Sequence, residues 1–315
     1  MSEHPFWLVR PAGASAHHDD AAKAEARRQL QRRQLPKTLH DFQESAKYFQ
    51  LEPGLQTAIN MALAVGAPLL LTGEPGTGKT QVAWYLGWYF DIPVYAYQVR
   101  STSTANGIKY DFDAVAYLRN AQDIKVDRIE RTDEHVLRHK ALWLAYDCPG
   151  ASVLLIDEID KASRDFPNDL LLELDKHEFQ HPFLDKMIRP QNDKPPIVVV
   201  TSNVERRLPD AFLRRCIFHH IKLTPDLLQA AVRARTGDFP NLDTPTQDAA
   251  LERFWQLYHH DQLQKRPSTA EVLVWLAILS AWGTTAADLR NAPLAELPGL
   301  HALIKDQGDL ERLSR

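Results

Sequence analysis

The sequence has little of what secreted, membrane-spanning or nucleic-acid-binding proteins usually need. It contains two cysteines, Cys148 and Cys216, in 315 residues, which are too few for a disulfide framework and favour a reducing compartment. The apolar runs MALAVGAPLLL and VLVWLAILSAW are shorter than the roughly 20 residues of a membrane-spanning helix. A net charge of −4 supplies no general attraction to phosphate backbones or anionic lipid.

The N-terminal sequence MSEHPFWLVRPAG also lacks the charged segment and long apolar run of a secretory signal. We therefore expect a soluble cytoplasmic protein without membrane insertion. Direct nucleic-acid binding is disfavoured unless a local basic segment supplies it, and the basic residues at 23–33 are the candidates for such a segment.

What the sequence does contain is a series of short apolar runs separated by helical lengths of chain. They are PLLLT (68–72), PVYAYQV (93–99), ASVLLI (151–156), PIVVVTS (196–202) and CIFHHI (216–221). Such runs favour an α/β fold with a five-stranded parallel sheet covered by helices on both faces. After residue 223 the segments DLLQAAVRA, AALERFWQLYHH and TAEVLVWLAILSAW show helical spacing. We predict a polar, helical extension over 1–45, an αβα domain over 46–222, a smaller all-helical domain over 223–288 and a tail over 289–315.

The segment PLLLTGEPGTGKT leads from the first apolar strand through a glycine-rich turn into a helix. Glycines at 73, 76 and 78 let the backbone turn its N–H groups around a phosphate, at the positive end of the following helix. Lys79 can reach the β and γ oxygens, and the Thr80 hydroxyl can ligate Mg²⁺. We predict an ATP site whose nucleotide-binding residues are Gly73, Glu74, Pro75, Gly76, Thr77, Gly78, Lys79, Thr80 and Gln81.

Two later strands also end in polar residues that we expect at the same site, because an α/β sheet delivers ligand-binding groups at the carboxyl ends of its strands. The run VLLIDE ends in Asp157, which can hold Mg²⁺ through water, and Glu158, which can deprotonate a water for attack on the γ-phosphate. The run IVVVTSN ends in Asn203, which can position that water from the opposite side. The acidic pair favours hydrolysis over transfer to a small molecule.

The order GEPGTGKT, LLIDEID, VVVTSN, LPDAFLRRC and then a helical lobe resembles the MoxR family of AAA+ ATPases over residues 46–282. The phrases STSTANGIKYDFDAVAYLRNAQ and DKASRDFPNDLLLELDKHEF resemble further segments of that family. The resemblance implies a five-stranded AAA+ P-loop αβα domain followed by a helical lid. It also implies a nucleotide that lies between them and at a boundary between subunits.

The resemblance also implies a use for the arginines of LPDAFLRRC. In the family an arginine before the fifth strand reaches the γ-phosphate of the neighbouring subunit, and Arg215 matches that place best. Its planar, permanently charged guanidinium suits the spread charge of the transition state. Arg214 and Arg206 are further candidates, and Arg206 can equally serve its own loop.

The helical lid departs from the family pattern. The usual arginine stands in a Ser-Pro-Arg-like context at the start of a helix, whereas this chain reads KRPSTAE at 265–271. Ser268 occupies the usual arginine's place. Arg266 either approaches the nucleotide from nearby or is simply exposed.

The leading hypothesis is an ATP-hydrolysing homo-oligomer, a hexameric ring that acts as a chaperone-like remodelling or assembly factor. The resemblance implies a protein client or a partner with a von Willebrand factor A domain. An alternative is a nucleotide-switched subunit of a defence or transposition complex on nucleic acid. A third interpretation is a small-molecule kinase, which predicts a monomer whose Arg215 contacts its own nucleotide.

Overall fold

The computed structural model describes residues 20–32, 39, 41–117 and 136–314. The chain divides into two compact units. One comprises Leu51–Lys222, and the other combines the described residues of 1–50 with those of 223–315. Among the described residues, no helix is both long enough and apolar enough to cross a bilayer.

The first unit is built on the five-stranded parallel sheet that the sequence predicts. The strands of this unit are β1 (Leu69–Thr72), β2 (Val94–Gln98), β3 (Tyr110–Phe112), β4 (Leu137–His139), β5 (Val153–Asp157), β6 (Phe179–Gln180), β7 (Met187–Ile188), β8 (Ile197–Ser202) and β9 (Ile217–His220). The parallel sheet has the order β2-β5-β8-β1-β9. This order sets the carboxyl ends of β5, β8 and β1 side by side.

The central strands are apolar because both of their faces are covered. β1 and β5 are buried at every position, as expected for parallel strands between helical layers. The edge strands β2 and β9 instead alternate between less and more exposed residues. Two short antiparallel strand pairs, β3-β4 and β6-β7, lie outside the main sheet, and their strands are too short for the sequence pattern to predict.

The helices of the first unit are α3 (Pro53–Val65), α4 (Lys79–Phe90), α5 (Ala141–Asp147), α6 (Phe166–Asp169), α7 (Leu171–Lys176) and α8 (Asp210–Leu213). α4 contacts β5, β8 and β2. Its Gly87 lies so close to β2 that an added Cβ would collide with the Val94 side chain. This contact fixes the helix that follows the glycine-rich turn against the sheet.

The second unit is helical in its described residues, as predicted for the chain after 223. Its helices are α1 (Asp20–Arg32), α2 (Phe42–Ser45), α9 (Pro225–Ala234), α10 (Thr244–Tyr258), α11 (Thr269–Trp282), α12 (Ala286–Asn291) and α13 (Gln307–Leu313). Its core includes the fully buried side chains of Phe239, Phe254 and Trp275. Ser268 caps α11 and exchanges hydrogen bonds with Glu271, which is a standard way to satisfy the first N–H groups of a helix.

The segment predicted as a tail from residue 289 belongs to the core of this helical unit. Leu297, Leu300, Leu303 and Ile304 are buried within it. The segment forms short helical turns rather than one long helix, so its leucines do not follow the 3.6-residue period that would reveal a packed face.

Candidate nucleotide site

The glycine-rich turn between β1 and α4 needs glycine for steric reasons. Gly73, Gly76 and Gly78 have φ values of 149°, 76° and 91°, which side chains disfavour. A Cβ on Gly73 would lie 2.6 Å from the backbone oxygen of Ile221. The turn therefore packs directly against the chain that leaves β9.

Lys79 begins α4 and is a buried cation, 6% exposed. Its Nζ donates hydrogen bonds of 2.8 Å to the backbone oxygens of Gly73 and Glu74. Burial lowers the pKa of Lys79, although nearby carboxylates led by Asp157 oppose the shift. No ion pair joins Lys79 to a carboxylate among the residues that the structure describes. A buried ammonium bound only by neutral carbonyls fits an anionic ligand such as a phosphate.

Asp157, the last residue of β5, ties the glycine-rich segment to the sheet. Its Oδ1 accepts hydrogen bonds from the Thr80 hydroxyl at 2.8 Å and from the Thr201 hydroxyl at 2.7 Å. Within the described part of the chain, its Oδ2 has no hydrogen-bond partner. This oxygen therefore remains for a water or a hydrated cation, beside the hydroxyl of Thr80.

The charge balance of the site also fits a divalent cation. Asp157, Asp160, Glu158 and Glu74 all act electrostatically on Lys79, and Lys161 pairs with Glu158, so these carboxylates outnumber the two ammonium groups. A polyphosphate would add further negative charge and needs a cation to neutralise it. The Asp157 carboxylate beside the Thr80 hydroxyl suits Mg²⁺, which proteins usually hold with one or two carboxylates, water and the phosphates themselves.

Glu158 follows Asp157 in a left-handed backbone conformation, with φ of 59°, which costs a non-glycine residue about 1–2 kcal/mol. Its N–H donates to the Thr201 hydroxyl at 2.8 Å, which helps to hold this conformation. Its Oε1 accepts from Asn203 Nδ2 at 3.1 Å. Its Oε2 accepts from Gln98 Nε2 at 2.5 Å and from Lys161 Nζ at 2.6 Å.

The structure thus brings together most of the residues predicted at the phosphate end. Lys79, Thr80, Asp157, Glu158 and Asn203 converge at the carboxyl ends of β1, β5 and β8 through the hydrogen bonds given above. The predicted neighbours Pro75, Gly76 and Thr77 lie in the exposed or half-buried turn, and Gln81 is buried in the first turn of α4.

The predicted finger, Arg215, lies just beyond α8 and does not join this cluster. Its Nε donates to Asp175 Oδ2 at 2.6 Å, and its NH1 donates to the Ala211 oxygen at 2.7 Å. Its side chain is 40% exposed. Arg214 is exposed, and Arg206 donates to the Ala162 oxygen at 3.1 Å and so supports a loop of its own unit.

Arg266 lies in the helical unit, just before α11. Its guanidinium carbon lies 5.3 Å from the centre of the Tyr258 ring, within the range of a cation–π contact. This contact gives the side chain a local partner in its own unit.

Three residues of the site were not among the predicted site residues: Thr201, Gln98 and Lys161. Thr201 and Gln98 each stand at or near the carboxyl end of a sheet strand, where ligand-binding groups are expected. Their place at the strand ends could therefore have marked Thr201 and Gln98 as candidates from the sequence. Lys161 gives no such signal, because its proximity to Glu158 depends on the turn between them.

Comparison with known proteins finds a family match within the first unit. Residues 68–216 match the model of the AAA domain, dynein-related subfamily. A structure from Cytophaga hutchinsonii, provisionally described as an ATPase, is 10% identical, with 84% of each chain covered and a TM-score of 0.39. NtrX from Brucella abortus in complex with ADP is 13% identical, with 90% of this chain and 62% of that chain covered and a TM-score of 0.48. Comparison with curated proteins finds no match.

The two structural similarities are too low to support a conclusion. The parallel sheet, the glycine-rich turn and the family match are independent of them. Together they show the AAA+ P-loop αβα fold over residues 68–216.

Proposed function

We propose that this protein hydrolyses ATP together with Mg²⁺ at the cluster formed by Lys79, Thr80, Asp157, Glu158 and Asn203. The hydrogen bond from Thr80 to Asp157 carries the proposal, because it joins the phosphate-binding segment to the acidic end of β5. A phosphate ligand and a hydrolytic carboxylate then share one site. The AAA domain match agrees with nucleotide binding.

Each side chain has a distinct role in this proposal. Lys79 binds the β and γ oxygens, and its burial strengthens that contact because water does not screen it. Thr80 and the unpaired Oδ2 of Asp157 would hold Mg²⁺, which when bound neutralises charge on the phosphates. Glu158 accepts a proton from the attacking water, and Asn203 orients both the Glu158 carboxylate and that water.

The finer proposal is a MoxR-like ring, hexameric, in which Arg215 of one subunit completes the site of the next. The exposure of Arg215 supports this role, because a group that reaches a neighbour must lie on the surface. Nucleotide-driven motion between subunits would then remodel or assemble a protein client, or a partner with a von Willebrand factor A domain. The cytoplasm is the proposed setting, in agreement with two free cysteines.

The first experiment separates binding from hydrolysis. Glu158→Gln is expected to bind ATP normally and to lose phosphate release by about a hundredfold to ten-thousandfold, the usual contribution of a general base. Lys79→Ala is expected to weaken ATP binding itself. Fluorescent-nucleotide titration and phosphate release measure the two effects, with Glu296→Gln, an exposed residue of the helical unit, as the matched control. Full turnover by Glu158→Gln would refute the assignment of the base.

The ring and the client need separate measurements. Sizing of Glu158→Gln with and without ATP is expected to show ATP-dependent rings, and a monomer under both conditions would contradict the ring. Capture of partners on the ATP-bound variant, compared with Lys79→Ala, identifies the client class.

A further inference from the structure

Lys161 makes an unusually close contact with the residue assigned as the general base. Its Nζ lies 2.6 Å from Glu158 Oε2, and this hydrogen bond raises the pKa of Lys161. Gln98 donates to the same oxygen. A carboxylate oxygen has two lone pairs, so these two donors leave no acceptor position on Oε2. Asn203 occupies one position on Oε1.

The local backbone explains why Lys161 reaches back to Glu158. Glu158 is left-handed and caps a 3₁₀ turn over Ile159–Lys161, in which Lys161 N donates to Glu158 O at 3.0 Å. Lys161 ends this turn, three residues after Glu158, and its side chain reaches back to the Glu158 carboxylate.

The backbone of this turn is held by hydrogen bonds to its neighbour, whereas the Lys161 side chain is partly exposed. Asp160 is buried and accepts hydrogen bonds from the N–H groups of Asn203 and Glu205, at 3.3 and 2.9 Å. The Lys161 side chain is 41% exposed. A rotation of this side chain alone would break its contact with Glu158, with no movement of the turn.

The molecule also offers a second position for the ammonium. A cavity of 380 Å³ adjoins the site, and Lys161, Gln98, Glu205 and Arg100 all line it. Glu205 acts electrostatically on Lys161, and its carboxylate makes no hydrogen bond within the described residues. An ammonium that leaves Glu158 therefore has a carboxylate within the same cavity.

We propose that Lys161 is a reversible clamp on the general base, holding Glu158 in a resting position and vacating one acceptor position on its Oε2 by turning toward Glu205. The inference rests on the proposed ATP hydrolysis. Lys161 is a positioning residue, since it acts through Glu158. Because Oε1 keeps one open position, the clamp slows turnover rather than abolishing it.

The test measures steady-state ATP hydrolysis by the full chain. Lys161→Met is expected to raise kcat by about threefold to fivefold with KM unchanged, since a partly exposed ion pair is weak. Lys161→Arg keeps the charge and is expected to stay near the wild-type kcat. Glu205→Gln is expected to lower kcat by about twofold, because it removes the charge that attracts the released ammonium.

The double variant tests whether the two residues act on one step. Lys161→Met with Glu205→Gln is expected to match Lys161→Met alone, because Glu205 has no role once the ammonium is gone. Lys140→Met is the matched control, since Lys140 has the same exposure, 41%, and a longer ion pair of 3.6 Å to Asp111. Its kcat is expected to equal the wild-type value.

A measurement without nucleotide tests the contact itself. The unfolding midpoints of Lys161→Met, Glu158→Gln and their combination are expected to be non-additive, because each single change breaks the same ion pair. Additive shifts, or a Lys161→Met kcat at or below the wild-type value, would overturn the clamp.

The clamp and the proposed function can fail separately. If wild type and Glu158→Gln hydrolyse ATP equally, the assigned base is wrong and the clamp has no target. If Glu158→Gln is inactive but Lys161→Met is not faster than wild type, the base stands and only the clamp is refuted.

Discussion

The carboxylates at the end of β5 and the arginine beyond α8 are held in different ways. Asp157 and Glu158 both bind the hydroxyl of Thr201, which is 0% exposed, and neighbouring strands supply further donors. Arg215 is 40% exposed and is held by one carboxylate, that of Asp175, and one backbone oxygen. Exposed ion pairs contribute little, about 0–1 kcal/mol, whereas buried networks are costly to break.

This difference separates the side chains whose positions are fixed by a buried network from the one whose position can change. The groups proposed to bind phosphate and activate water are fixed by the sheet of a single chain. The group proposed to complete the site in a neighbour has a replaceable contact with its own chain. Little free energy would be lost if Arg215 left its contact with Asp175 and bound a phosphate instead. Assembly and nucleotide binding can therefore drive that exchange.

Of the three variants that test this comparison, the one at the exposed Arg215 has the largest expected effect. Arg215→Ala is expected to lower kcat by about a thousandfold, because a finger of this type stabilises transition-state charge, while ATP affinity changes little. Mixing Arg215→Ala with Lys79→Ala subunits and measuring phosphate release tests the position of the finger. Partial recovery is expected, since some interfaces then pair an intact phosphate site with an intact finger. No recovery in verified mixed rings would show that Arg215 does not act between subunits.

A smaller effect on phosphate release is expected from a change in the buried network, at Thr201. Thr201→Val removes the hydroxyl that binds both the Asp157 carboxylate and the Glu158 N–H. Leaving these buried groups without that partner is expected to destabilise the site by about 1–3 kcal/mol. Phosphate release is expected to fall about tenfold to a hundredfold, and the unfolding midpoint is expected to drop as well. Thr201→Ser keeps the hydroxyl and serves as the control. Equal activity of the serine and valine variants would mean that the hydroxyl does not organise the site.

The smallest effect is expected from the partner of Arg215. Asp175→Asn removes the charge of an exposed pair, so stability is expected to change by less than about 1 kcal/mol. Turnover is expected to change by less than about threefold, measured by phosphate release at saturating ATP. A loss of phosphate release as large as that of Arg215→Ala would show that the Asp175 contact is essential. The two regions would then not differ in the way described above.

The sequence predicts the sheet and the phosphate segment well because both are local patterns. Each apolar run of β1, β2, β5, β8 and β9 coincides with a strand, and a strand followed by glycines, lysine and threonine marks the phosphate turn. Within the segment predicted as a tail from residue 289, Leu297 and Leu300 pack in the helical core. Short helical turns carry no period from which burial can be recognised.

The sequence by itself determined the sheet strands, the glycine-rich turn and which polar residues end β5 and β8, because each depends on neighbouring residues in the chain. Only the tertiary structure decided that Thr201 bridges Asp157 and Glu158, that Lys161 and Gln98 share one carboxylate oxygen, and that Asp175 holds Arg215. The Thr201, Gln98 and Arg215 contacts join residues 40 or more positions apart, and the Lys161 contact depends on the left-handed backbone of Glu158. Hydrogen bonds of this kind follow from strand order and backbone conformation, which residue pattern alone does not specify.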